Sequence, residues 1–128
     1  MAFLLDTHAF LWFVSGDTKL PISVRDKIKN INQACFLSAA SLWEITIKKQ
    51  IGKLTLTISL EELFDYADRN QIEIFPIAYK HLTTLSKLPN YHNDPFDTLI
   101  ISQAISEGLT LITRDKGLKK YKVKQQWA

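Results

Sequence analysis

Cysteine is almost missing from this 128-residue chain: Cys35 stands alone. No disulfide can form within the chain, and a reducing, cytoplasmic setting suits it. Cys35 lies in the apolar stretch ACFLSA, where a small buried hydrophobe is the expected role. Glycine and proline are scarce as well, at four each, and no repeat, low-complexity tract or Pro/Gly/Ser-rich linker divides the chain. These absences argue against disorder and against several domains. No apolar run approaches the roughly 20 residues of a membrane span, and MAFLLDTHAF lacks the basic region that precedes the apolar part of a signal peptide. The expectation is one soluble domain over residues 1–128, with 46% hydrophobic residues to fill a core.

Basic residues outnumber acids only slightly, for a net charge of +3. Their placement is uneven. Arg114, Lys116, Lys119, Lys120, Lys122 and Lys124 cluster near the end with Asp115 as the only acid among them, and Lys48, Lys49 and Lys53 form a second group. Such clusters suit a phosphate backbone, and equally a solvated tail and a solubilising helix face.

Short apolar runs rich in strand-favouring residues occur at FLL (3–5), CFLSA (35–39), IEIFPI (72–77) and TLITRD (110–115). Between them, 21–31, 38–50, 60–69, 78–88 and 96–107 have helical period, the second opening on a possible Ser38 cap and stopping at Gly52. Strands alternating with helices predict an α/β fold with a parallel sheet, right-handed crossovers and helical cover. Tyr121–Trp127 is a candidate edge strand.

In such folds sites form outside the carboxyl ends of the strands. Asp6 and Asp115 follow two strands directly, and the helix from Phe96, which feeds a strand, starts at the same edge with Asp94 and Asp97. In HNDPFDTLIISQA, Asp94 ahead of Pro95 suits a helix cap, while Ile101 and Ala104 lie beneath Asp97 on an inward face. Glu44 is the lone charge in AASLWEITI, so its carboxylate should lie against the protein with a partner; Lys48 at i+4 supplies an ordinary one. Asp6 and Asp115 also suit turns at strand ends. Several acids gathered at one edge either raise each other's pKa or recruit a cation. With carboxylates on offer and the Thr7 and Thr113 hydroxyls nearby, that cation is Mg²⁺ or Mn²⁺ rather than zinc, since Cys35 is solitary and His8, His81 and His92 show no ligand spacing. His81 is expected to pack on its helix; His8 and His92 are read as loop hydrogen-bonding residues or substrate contacts. A carboxylate-held metal bordered by basic residues fits phosphodiester hydrolysis. Setting aside four site acids leaves sixteen basic against nine acidic residues, a balance that favours a polyanionic substrate.

LLDTHAFLW, SAASLWEITIKKQIGKL, HNDPFDTLIISQA and LTLITRDKGL, in this order, resemble the PIN-domain family and, within it, the VapC-type toxins of bacterial toxin-antitoxin pairs. The resemblance spans almost the whole chain. It implies a three-layer α/β/α sandwich around a parallel sheet of four or five strands. It also implies a metal-dependent endoribonuclease, usually a homodimer, held inactive by a cognate antitoxin. Carried over by position, it assigns catalysis and metal binding to Asp6, Glu44, Asp97 and Asp115, with Asp94 and Thr113 accessory; Thr7, a hydroxyl beside Asp6, is a further accessory candidate from its place alone. RNA contacts would fall on Lys48, Arg114, Lys116, Lys119 and Lys120.

Two enzymatic rivals fit less well. A phosphatase of the DxD type wants an acid where His8 stands, and a response receiver wants paired acids after its first strand. A housekeeping RNA-processing nuclease of the same family, or a non-catalytic metal-stabilised RNA- or protein-binding module, remains as an alternative reading.

Overall fold

Every strand of the sheet runs parallel to its neighbours, and their order β3-β2-β1-β4-β5 puts the first strand in the middle. The computed structural model describes residues 2–128. Its strands are β1 (Ala2–Leu5), β2 (Ala34–Ser38), β3 (Ile72–Phe75), β4 (Thr110–Ile112) and β5 (Gln125–Gln126). The α-helices are α1 (Thr7–Ser15), α2 (Ile22–Lys29), α3 (Ala39–Gln50), α4 (Leu60–Arg69), α5 (Tyr79–Ser86) and α6 (Pro95–Glu107), and a 3-10 turn covers Lys116–Lys120.

The alternation of side chains along a strand divides the core into two layers. Phe3, Leu5, Cys35, Leu37 and Ile112 point to one face and pack with Phe10 and Phe13 of α1, Val24 and Ile28 of α2, and Leu63 and Ala67 of α4. Leu4 and Leu111 point the other way, onto Leu99, Ile100, Ile101 and Ala104 of α6, with Leu85 and Leu88 at the margin. A sheet covered on both faces is the expected three-layer α/β/α sandwich, and it explains why β1 and β4 carry almost uninterrupted apolar residues. Cys35 is buried as expected, and burial pushes its thiol up to about 12.

Local chemistry sets the element ends. Ser59 caps α4 by accepting from the Glu62 amide at 3.1 Å, and α1 and α6 end on Gly16 and Gly108 in the left-handed conformation that glycine adopts without cost. The edge strand expected over Tyr121–Trp127 is present but short, reduced to Gln125–Gln126 beside β4. The helix α1 was not expected. Its sequence THAFLWFVS is apolar on nearly every side, because Phe10 and Phe13 enter the core while Leu11, Trp12 and Val14 pack at its margin, and so no amphipathic period marks it.

Candidate metal centre

The chain moves outward from β1 through β2 to β3, then returns to place β4 on the other side of β1. That reversal opens a crevice at the carboxyl ends of β1 and β4. Asp6 and Thr113 are the first residues past those two ends. Asp6 is buried; its Oδ1 accepts from the Ala9 amide at 2.7 Å and its Oδ2 from the Thr113 hydroxyl at 2.6 Å. Burial raises its pKa; those two bonds and His8 oppose the rise, while Asp115 adds to it. Asp115 is exposed, takes the Gly117 amide at 2.8 Å on Oδ1, and gives its own amide to Thr113 Oγ1 at 3.1 Å.

Thr7 connects this group to a second one. Its hydroxyl donates to Glu44 Oε1 at 2.7 Å and lies 2.9 Å from the Ser41 hydroxyl. Glu44 is 2% exposed, and its other oxygen meets Lys48 Nζ at 2.6 Å. The ordinary i+4 partner is therefore formed, but on a buried carboxylate rather than on the surface. Hydrogen bonding to Glu44 raises the Lys48 pKa, with further contributions from the negative charges of Glu44, Asp94 and Asp97. The ammonium is thus the local countercharge for three acids.

Asp97 closes the set. Its carboxyl is pushed from 3.8 up to about 6, first by burial, then by the charges of Asp94 and Glu44, against the opposing bond from His92. His92 Nε2 stands 2.9 Å from Asp97 Oδ2. Asp94 caps α6, its Oδ1 accepting from Phe96 N at 2.9 Å and from Asp97 N at 3.4 Å. Among the described residues, ligand atoms of His92, Asp94 and Asp97 come within 4.8 Å of one another, whereas Asp6, Glu44 and Asp115 are not gathered so tightly. Sequence spacing offered His92 only a loop or substrate contact; its place beside Asp97 arises because the loop before α6 folds back over the helix start, which no local pattern encodes.

Because the cap and the charge of Asp94 act in opposite directions, two substitutions separate them. Asp94→Ala should leave the protein about 1 kcal/mol less stable than Asp94→Asn in urea unfolding, since asparagine keeps the cap acceptor while both variants relieve Asp97 of a neighbouring charge. Equal stabilities would mean that the cap contributes nothing.

The basic residues divide between two sides. Lys48 sits among the acids. Arg114, Lys116 and Lys119 line a cavity of about 720 Å³ with Thr113, Asp115 and Trp127, and Lys120 is exposed nearby. Arg114 also lies over the Trp12 ring, 5.6 Å from its centroid. On the other side of Thr7, an apolar groove of about 510 Å³ runs from Glu44 and Lys48 between Leu11, Trp12 and Val14 of α1 and Leu54, Leu56 and Ile58. These residues are half-buried, whereas Phe13 is wholly in the core.

The donors present, carboxylate and hydroxyl oxygens with one imidazole at the margin, suit a hard divalent cation. Asp97 supplies the physical reason for one: burial and two neighbouring acids hold its charge at a cost that a cation would relieve.

Known proteins agree with this architecture. VapBC2 from Rickettsia felis, solved bound to a DNA fragment from its promoter, superposes with a TM-score of 0.77 at 20% identity over 100% of both chains. VapBC-1 from nontypeable Haemophilus influenzae gives 0.69 at 16% identity, covering 98% of this chain and 97% of that one. DNA-bound VapBC from Salmonella typhimurium gives 0.67 at 15% identity with the same coverage. At these identities the likeness is one of fold. No curated protein sequence matches the chain significantly. The sequence model of the PIN domain, however, matches residues 3–124, nearly the full length and every element that carries the acids, and the chain therefore belongs to the PIN-domain family.

Proposed function

We propose that this protein is a VapC-type toxin, a cytoplasmic endoribonuclease that hydrolyses RNA phosphodiester bonds with Mg²⁺ or Mn²⁺ and is restrained by a cognate antitoxin. The observation that carries the proposal is the pair of acids on neighbouring helices of a PIN domain, Glu44 buried and Asp97 half-buried, with Lys48 as countercharge to Glu44 and His92 hydrogen-bonded to Asp97. Asp6, Glu44, Asp97 and Asp115 would hold the ion. When bound, it would supply Lewis acidity and a water of lowered pKa.

The chain's own residues orient and exclude. Thr113 fixes Asp6 and Thr7 fixes Glu44, so neither carboxylate has to be ordered when the ion arrives. The first turn of α6 presents amide dipoles toward Asp94 and Asp97, favouring negative charge at that position. Arg114, Lys116, Lys119 and Lys120 offer their charges to the ribose-phosphate chain, and Lys48 lies close enough to the acids to serve a phosphate at the reacting position.

The partner reading draws on the neighbours, which are VapBC complexes. The groove between α1 and Leu54–Ile58 suits an apolar segment of an antitoxin and leads directly to Glu44 and Lys48, so a segment lying there would reach the acids. A homodimer would cover some of the large exposed apolar side chains, Trp43, Ile51, Ile74, Ile77, Tyr79 and Leu82.

Purified protein should cleave single- or partly double-stranded RNA in Mg²⁺ or Mn²⁺ and stop on addition of EDTA. Asp6→Asn should lose this activity while keeping its circular-dichroism spectrum. RNA binding with no metal-dependent cleavage would overturn the nuclease assignment. Unrestricted growth of cells expressing the active enzyme without a partner would overturn the toxin assignment alone.

A further inference from the structure

Ser38 and Gln103 are polar side chains with no exposed surface, on two elements that face each other behind the acids. Ser38 ends β2 and caps α3, accepting from the Ala40 amide at 3.0 Å, and its hydroxyl donates to Gln103 Oε1. Gln103 uses its amide hydrogens elsewhere: Nε2 donates to the Pro76 carbonyl at 3.2 Å and lies 3.5 Å from His81 Nδ1, which itself accepts from the Ala78 amide at 2.9 Å. One amide thus fastens the start of α3, the middle of α6 and the turn between β3 and α5.

The contacts along α3 and α6 fix their relative direction. Ser38 meets Gln103, and five residues further along α3 Trp43 meets Phe96 edge-on at 5.2 Å between ring centroids, seven residues back along α6. Advancing along α3 means retreating along α6, so the two helices pack antiparallel. Glu44 lies six residues after Ser38 and Asp97 six residues before Gln103. At 1.5 Å per residue, each acid stands roughly 9 Å from the Ser38–Gln103 bond, on arms of equal length. Helix α3 is free to take this direction because α4, not α3, returns the chain to the sheet.

We infer that Gln103, through its bond to Ser38, is a positioning residue that sets the spacing and register of Glu44 against Asp97 and so prepares the metal centre. This inference rests on the reading that these acids hold a divalent cation. The amide contributes to stability as well, since its loss would leave the fully buried Ser38 hydroxyl without an acceptor, so metal affinity and not stability is the measure of its positioning role. Apolar packing between helices, being non-directional, tolerates a sliding by fractions of an ångström. Directed hydrogen bonds at both ends of one amide do not, and ligand geometry is sensitive to such displacements.

The experiment compares Mn²⁺ dissociation constants, measured by electron paramagnetic resonance on the full chain, for wild type, Gln103→Met and Leu63→Ala. Leu63 packs in the opposite layer and serves as a control for lost stability. Folding of each is verified by circular dichroism at the working temperature. Gln103→Met should weaken Mn²⁺ binding about tenfold or more, the scale on which groups behind metal ligands act, with Leu63→Ala near wild type. Equal affinities for wild type and Gln103→Met would overturn the positioning role and leave the metal centre standing. A wild type that binds no Mn²⁺ would overturn both. Should Gln103→Met not fold, Ser38→Thr and Ser38→Ala decide the matter: threonine keeps the hydroxyl and should retain Mn²⁺ affinity, alanine should lose it, and equal affinities would refute the inference.

Discussion

Asp97→Asn is expected to abolish RNA cleavage and yet make the metal-free protein more stable than wild type above pH 6. The two effects have one cause. In the folded chain the Asp97 carboxyl is held at about 6 against 3.8 for the free group. Between those values the folded state keeps a proton that the unfolded state has released, so stability falls as pH rises through the window and the loss is complete above it. For a side chain 21% exposed the full loss is at most about 3 kcal/mol. Asparagine carries no charge, keeps an oxygen for His92 and escapes the penalty. Urea unfolding in EDTA at pH 4, 5, 6 and 7 tests this: the wild-type midpoint should drop across the series and that of the variant should drop less. Identical slopes would show that Asp97 is not held under electrostatic strain. The same chain in Mn²⁺ should recover the lost stability, because a ligand that binds only the folded state adds RT ln(1 + [L]/Kd).

Lys48→Met is the complementary case. Glu44 is almost completely buried, and Lys48 is its ionic partner at 2.6 Å. Removing one member of a buried pair leaves a charge without compensation, which typically costs about 3–5 kcal/mol. With the Lys48 side chain 38% exposed, water recovers part of that, and about 2 kcal/mol is expected in EDTA. In saturating Mn²⁺ the cost should shrink, because the ion supplies the positive charge that the lysine gave. An equal loss with and without the metal would mean that ammonium and cation do not substitute for one another at Glu44. Chemical denaturation of both proteins, with and without Mn²⁺, gives the comparison directly.

Much of the frame is legible in the sequence because it depends on local pattern. Short apolar runs become β1 to β4 within a few residues of their expected limits, and the amphipathic segment Leu60–Arg69 coincides with α4. The acids at strand ends fall at the sheet's carboxyl edge for the same reason, and the Glu44–Lys48 pair follows from helical spacing. What sequence does not show depends on contacts between distant segments. Helix α1 is hidden because it is apolar on several sides at once. The His92–Asp97 and Ser38–Gln103 bonds depend on how a loop and two helices meet, and neither residue type announces its partner. The antiparallel course of α3 over α6 belongs to the same class, since the periodicity of each helix is silent about its direction.

Asp6, Asp94 and Asp115 each receive a backbone N–H at the start of a helix or 3-10 turn. Selection for foldedness alone would preserve such residues in a lineage without nuclease activity. They are therefore weak witnesses when an unfamiliar relative is judged active or inactive from its sequence. Asp97, which burdens the fold whenever it is ionised, has no such second employment. If Asp97 serves the proposed activity, a lineage relieved of catalysis gains by discarding it, so an acid that persists at that position is better evidence of a working enzyme than the three caps are.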